Sequence, residues 1–120
     1  MSTYHEIFVA SELPVDVLLA DLAFVAGAEL TRANGDPVDY SVGVGRDAIQ
    51  VELEHEYEED YGIPFERYPR VVTIRDYDRD MARQGDWAQR VFDHLASTGR
   101  YALLLVFDLH ELIDSDPPLR

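Results

Sequence analysis

The chain has 120 residues, 47% of them hydrophobic, and a formal net charge of −14. That length suits one compact domain with one real core, and the charge argues against DNA, RNA or anionic membrane as direct partners, because an acidic surface repels them. All ten basic residues are arginine and cysteine is absent, which excludes disulfides, thiolate zinc sites and cysteine nucleophiles.

Tyr4 to Ala10 (YHEIFVA) is short, aromatic and β-branched and predicts a first strand. Ser11 is placed to cap a helix whose first turn holds Glu12, Pro14 and Asp16, residues favoured or tolerated there. Leu18, Leu19, Leu22, Val25 and Ala26 follow at helical spacing and Gly27 supplies a stop, so the helix is expected from about Glu12 to Ala26. Asn34-Gly35 is a tight-turn signal joining a short strand at Glu29–Arg32 to the next one, weakened by Pro37. Val38, Tyr40, Val42 and Val44 then alternate with Asp39, Ser41, Gly43 and Gly45. A turn at Gly45-Arg46-Asp47 leads into a partner strand expected over Ala48–Glu58.

Glu59 to Arg67 reads as an acidic loop, and Arg70 to Asp76 (RVVTIRD) as another strand. Asp78 or Asp80 caps a second helix with an apolar stripe of Met81, Trp87, Ala88, Val91, Phe92 and Leu95, ended by Gly99. Gly85 threatens its first turns, in which case Asp86 becomes the cap. Ala102 to Phe107 (ALLLVF) is an unbroken apolar run, expected as a central strand covered on both faces. Leu109 to Ile113 predicts a last short strand, and Asp114 to Arg120 a polar, proline-rich tail. The order predicts a single α+β domain over residues 1–120, with two helices packed on one face of a mostly antiparallel sheet of about five to six strands. No window approaches the ~20 apolar residues of a membrane span and no basic leader opens the chain, so a cytoplasmic location away from membrane is expected.

The functional signal lies in Gln50 to Glu58. Val51, Leu53, His55 and Tyr57 alternate with Glu52, Glu54, Glu56 and Glu58, and Glu59 and Asp60 follow. Strand side chains point to opposite faces in turn, so the glutamates would form one acidic face. Buried unpaired carboxylates are costly, and that face must meet water, arginines, a cation or a basic partner. Neighbouring glutamates about 7 Å apart repel by about 0.6 kcal/mol in water, and by less than half of that in physiological salt. A folded domain bears this without a metal. A solvated face and a docking face for a cationic protein both satisfy the pattern. A calcium site wants ligands converging from a loop, and Glu58-Glu59-Asp60 with its Gly62 turn matches no such signature. Tyr57, Tyr61, Phe65 and Tyr68 cluster around the acidic loop, either as interface anchors ringed by charge or as pins holding the loop to the domain.

No nucleophile stands out. The serines lack a G-x-S-x-G elbow, and Gly43-Val44-Gly45 sits in a hairpin and not before a helix, so it does not cradle phosphate. Asp108 and His110 supply half of a metal site, while His5, His55 and His94 show no ligand spacing. No catalytic residue, metal or cofactor is therefore expected. The alternative is a small enzyme or ligand-binding domain with a pocket between sheet and helices lined by Tyr40, Tyr101 and Asp108. A third reading is an oligomer paired through the sheet, which like charges on the glutamate face oppose; the oligomeric state itself is not legible. The contact surface is expected at Glu52, Glu54, Glu56, Tyr57, Glu58, Glu59, Asp60, Tyr61, Phe65 and Tyr68, facing a basic protein.

Glu59-Asp60-Tyr61-Gly62-Ile63-Pro64 precedes the strand Val71–Arg75, a helix, the apolar strand Leu103–Phe107 and a short acidic terminus. Over residues 56–120 the chain resembles the bacterial immunity proteins that protect cells against toxins exchanged between siblings. In them an acidic stretch with a D-[YF]-G-type turn precedes a strand, a helix and a strand like ALLLVF. The first half matches only in order, and the long glutamate row and proline-rich tail depart from the pattern. The resemblance implies a small acidic α+β domain that inhibits a toxin by binding it in the cytoplasm, with no catalytic residue. Were that toxin a nuclease, its phosphate-holding basic site would suit the glutamates as phosphate mimics.

Overall fold

The strands are β1 (His5–Ala10), β2 (Thr31–Gly35), β3 (Val38–Val44), β4 (Asp47–Glu52), β5 (Arg70–Asp76), β6 (Ala102–Phe107) and β7 (Glu111–Asp116). In the computed structural model, which describes residues 3–35 and 37–119, they form one sheet in the order β2-β3-β4-β5-β1-β6-β7 with every pair antiparallel. Helices α1 (Val15–Ala26) and α2 (Met81–Ser97) pack together on one face. This is the expected α+β layering, with seven strands where five to six were expected. Among the described residues no helix is long and apolar enough to cross a membrane.

The layer between sheet and helices is filled by one face of each central strand, including Ile7, Ile49, Ile74 and Leu105, against Leu18, Leu22, Val91 and Leu95. ALLLVF is covered on both faces as predicted: Leu103 and Leu105 belong to this core, and Leu104 and Val106 to a second one. α1 begins three residues later than expected because Ser11 is used elsewhere. Its hydroxyl accepts from the Leu13 N–H and donates to the Arg100 carbonyl, and Pro14 takes the N-cap position. α2 is capped by Asp80, which accepts from the Arg83 N–H at 3.0 Å. The helix runs through Gly85 without a break. A Cβ there would lie 3.3 Å from His5 Nε2, so the glycine makes room for a buried imidazole. Gln84, fully buried, donates to His5 Nδ1 and the Thr3 carbonyl and accepts from the Asp76 N–H, stitching α2 to β1 and β5.

Two strand limits differ from expectation. β7 reaches Asp116, so Asp114 is strand and not tail, and Leu119 packs on the second core. Asn34-Gly35 lies inside β2, and the connection to β3 passes through residue 36, outside the described residues. The larger correction is β4. It ends at Glu52 and not at Glu58, so the glutamates do not share a sheet face. Continuing the observed registers places Pro37 beside Glu54 on one side and Pro69 beside it on the other. Neither proline has an N–H to offer the ladder, and both neighbouring strands stop short of that point. The chain instead turns away, with the Leu53 N–H donated to the Asp39 carboxylate at 2.8 Å.

Candidate functional site

After Glu52 the chain crosses the sheet face that the helices leave open, and returns to β5 at Arg70. Ile63, Phe65 and Tyr68 are buried there against Phe8, Val71, Leu104 and Val106. The Phe65 ring lies 4.6 Å from that of Phe8, and His55 meets Phe8 edge-on at 5.2 Å. His55 Nδ1 accepts from the Tyr57 N–H and Nε2 donates to the Tyr68 carbonyl, so the ring is tied to the crossover backbone at both nitrogens. Phe65 and Tyr68 are thus pins that hold the crossover down; at 2% and 7% exposed they offer no contact surface to a partner in this structure. Tyr57 is half-exposed, and Tyr61 is 71% exposed. Tyr61 stands at the tip of a turn closed by paired Asp60 and Ile63 backbone hydrogen bonds, where Tyr61 and Gly62 both take positive φ.

Glu54, Glu56, Glu58, Glu59 and Asp60 are all exposed along this crossover, and Glu52 is half-buried at its start. Among the described residues the arginine–carboxylate pairs lie elsewhere: Arg46 with Asp78, Arg83 with Asp47, Asp76, Asp78 and Asp80, and Arg100 with Asp21. The glutamates of the crossover therefore carry charge that no arginine among the described residues neutralises. They form a ridge and not the flat face the alternation suggested.

The crossover covers only the β1–β6 side of this face. Toward β3 and β4 the sheet is bare, and the register aligns Ser41, Gln50, Thr73 and Glu6 in one polar row across β3, β4, β5 and β1. Over that row lies a groove of about 490 Å³, floored by Gln50, Thr73, Glu6 and Glu52 and walled by Tyr57, Leu109, Pro37 and Tyr4. A hollow of about 650 Å³ adjoins it at Pro37, lined by Asp39, Leu53, Glu54, His55 and Glu56. Among the described residues no arginine lines either one. Burial pushes the Glu52 carboxyl up, opposed by His55 and reinforced by Asp39. Burial, and then the charges of Glu6 and Glu52, push the Tyr57 phenol up.

A second acidic group is internally satisfied and serves the fold. Asp76-Tyr77-Asp78-Arg79-Asp80 has the spacing that opens a calcium loop, but a guanidinium sits among its carboxylates. Arg83 donates to Asp76 at 2.7 Å and to Asp78 at 3.1 Å, and Asp76 Oδ1 accepts from the Asp78 and Asp80 N–H groups. Among the described residues no group of three or more His, Asp or Glu is arranged to hold a metal ion. His110 Nδ1 donates to the Asp108 carbonyl within the β6–β7 turn.

The pocket expected from Tyr40, Tyr101 and Asp108 does not form. Tyr40 is on β3 and Tyr101 immediately precedes β6, four strands and roughly 19 Å away. Tyr101 is buried with its hydroxyl on Asp21, and Asp108 sits in the β6–β7 turn. Glu6, Gln50 and Thr73, the floor of the groove, were not foreseen as site residues. Their signal was a polar break in otherwise apolar strands. No protein-family model matches the chain, and neither a curated protein nor a solved structure does.

Proposed function

We propose that this chain is a small acidic inhibitor that binds a basic toxin in the cytoplasm and neutralises it, in the manner of the immunity proteins that residues 56–120 resemble. The observation that carries the reading is the exposed ridge from Glu54 to Asp60, whose glutamates meet no arginine among the described residues. Opposed to a basic surface, such a ridge steers association and makes it salt-sensitive. Exposed ion pairs contribute little each, so the adjoining rings of Tyr57 and Tyr61 supply the contact area that charge alone does not.

Immobilised chain is expected to retain a basic protein from the lysate of its source organism at low salt and to release it at moderate salt. The same column made with Glu54→Lys and Glu56→Lys together is expected to retain none, while circular dichroism and melting stay near wild type. Equal retention on both columns would remove the ridge from the account.

A further inference from the structure

We infer that the basic partner presents an extended segment that adds as a further strand to the outer edge of β7, which rests on the function proposed above. β7 ends the sheet. Among the described residues no strand pairs with its outer side, and no backbone hydrogen bond reaches residues 111–116 from outside the sheet. An edge strand aims the N–H and C=O of every second residue outward, so a row of donors and acceptors lies open there. This edge also starts beside the ridge. Tyr61, just past the ridge, meets the ring of His110 at 5.3 Å, and β7 begins at the next residue.

The register says what the segment carries. Glu111, Asp114 and Asp116 stand opposite Phe107, Leu105 and Leu103, on the helix side of the sheet. Leu112 and Ser115 stand opposite Val106 and Leu104, on the crossover side. Among the described residues no arginine pairs with any of these three carboxylates. Leu112 and Ile113, the latter at the register break, are 37% and 43% exposed. A strand laid against β7 alternates in the same way, so basic residues on one face and apolar residues on the other match it; main-chain hydrogen bonds supply the hold and the alternate side chains the selectivity. The Ser115 N–H is held by Asp114 Oδ1 at 2.9 Å, and an arriving carbonyl would take it over as the carboxylate turns to the arriving cation. A second copy of this chain does not fit. Antiparallel pairing about a two-fold axis sets the carboxylates of two β7 strands against each other on the same side, and acidic side chains with a bulge are what guard an edge against its own kind.

The test is a titration of the isotopically labelled full chain at low salt with a blocked peptide of alternating lysine and valine, followed by amide chemical shifts. Saturable shifts are expected across residues 111–116. The same peptide N-methylated at every amide keeps its charge and loses its strand donors, and it is expected to leave those residues unmoved. Glu111→Lys with Asp116→Lys is expected to weaken the unmethylated peptide several-fold, whereas Glu54→Lys with Glu56→Lys is expected to leave its shifts at 111–116 in place. Shifts confined to the ridge, equal shifts with the methylated peptide, shifts at 111–116 that follow the concentration of the chain and not of the peptide, or no saturable shifts at all would overturn the edge; the inhibitor reading would survive if the chain still captured a basic protein. Peptide bound at the edge without any captured protein would sustain the edge as a strand acceptor and overturn the function on which it was built.

Discussion

Phe65→Ala is expected to lower stability by about 3–5 kcal/mol, the range for deleting a buried phenylalanine, and the melting temperature by roughly 10–20 °C. The loss is expected to concentrate in one place. Phe65 is the largest fully buried side chain contributed by the crossover, and it packs on Phe8 from the side of the sheet that the helices never touch. Removing it leaves Ile63 and Tyr68 to hold the crossover alone. Amide exchange in residues 53–68 should therefore rise well before exchange in the helix-side core, read by hydrogen–deuterium exchange. The acidic ridge rides on this segment, so partner affinity should fall with it. A uniform rise in exchange across both cores would show that the crossover is not a separately anchored unit.

Asp47→Asn is expected to stabilise the protein at about pH 8 and to change little at about pH 4.5. Asp47 and Asp76 face each other in register on β4 and β5, both nearly fully buried. Burial, and then the hydrogen bond and charge of Asp76, push the Asp47 carboxyl up to about 6. The Arg83 guanidinium, with the Asp80 and Asp78 N–H groups, holds Asp76 well below the usual carboxylate range. The proton of the pair therefore sits on Asp47. A folded value above the unfolded one means that Asp47 contributes its full stability below an unfolded value of about 4, and loses it as pH rises through about 6. Asp76 has the opposite sign: its contribution is present above its unfolded value and fades as pH falls toward its folded value. The pair alone thus makes the fold most stable near about pH 4–5 and penalises it at about pH 8.

Asparagine keeps a donor for Asp76 without the charge. Its gain at about pH 8 should be on the order of 1–3 kcal/mol, shrinking to nothing as Asp47 takes up its proton. His5 works in the other direction. Burial, opposed by Glu111, pushes its imidazole down, so the fold loses stability as pH falls through the unfolded histidine range. That contribution is common to both proteins and cancels in the difference between their urea melts at about pH 4.5, 6 and 8. A variant less stable than wild type at about pH 8 would contradict this and show that the Asp47 charge is favourably held by Arg83, whose Nε lies 3.8 Å away.

The layering was legible because alternation and helical spacing are local. YHEIFVA, RVVTIRD and ALLLVF announced strands, and the stripe from Met81 to Leu95 announced α2. The glutamate row misled for a physical reason. Period-two alternation is necessary for a half-buried strand, but a strand also needs neighbours with free N–H groups. Pro37 and Pro69 were visible in the sequence, yet their position on either side of Glu54 follows only from the registers of β3 and β5. The acidic residues past Glu52 are exposed, as an unburied row requires, but they form a ridge and not the sheet face expected. The groove was hidden more deeply. Glu6, Gln50 and Thr73 come from three separate stretches and meet because β5 and β1 are neighbours across a long connection. Whether Phe65 and Tyr68 were interface anchors or loop pins stayed open in the sequence, because burial under a crossover leaves no local trace.

The most direct measurement of the central claim is growth of cells expressing the basic protein that the chain captures, with and without the chain supplied beside it. Growth arrest relieved by the wild-type chain, and not by the folded Glu54→Lys and Glu56→Lys variant, is the predicted result. Arrest that persists while the wild-type chain is bound to the captured protein would contradict the account, leaving a chain that binds through its acidic ridge without neutralising anything.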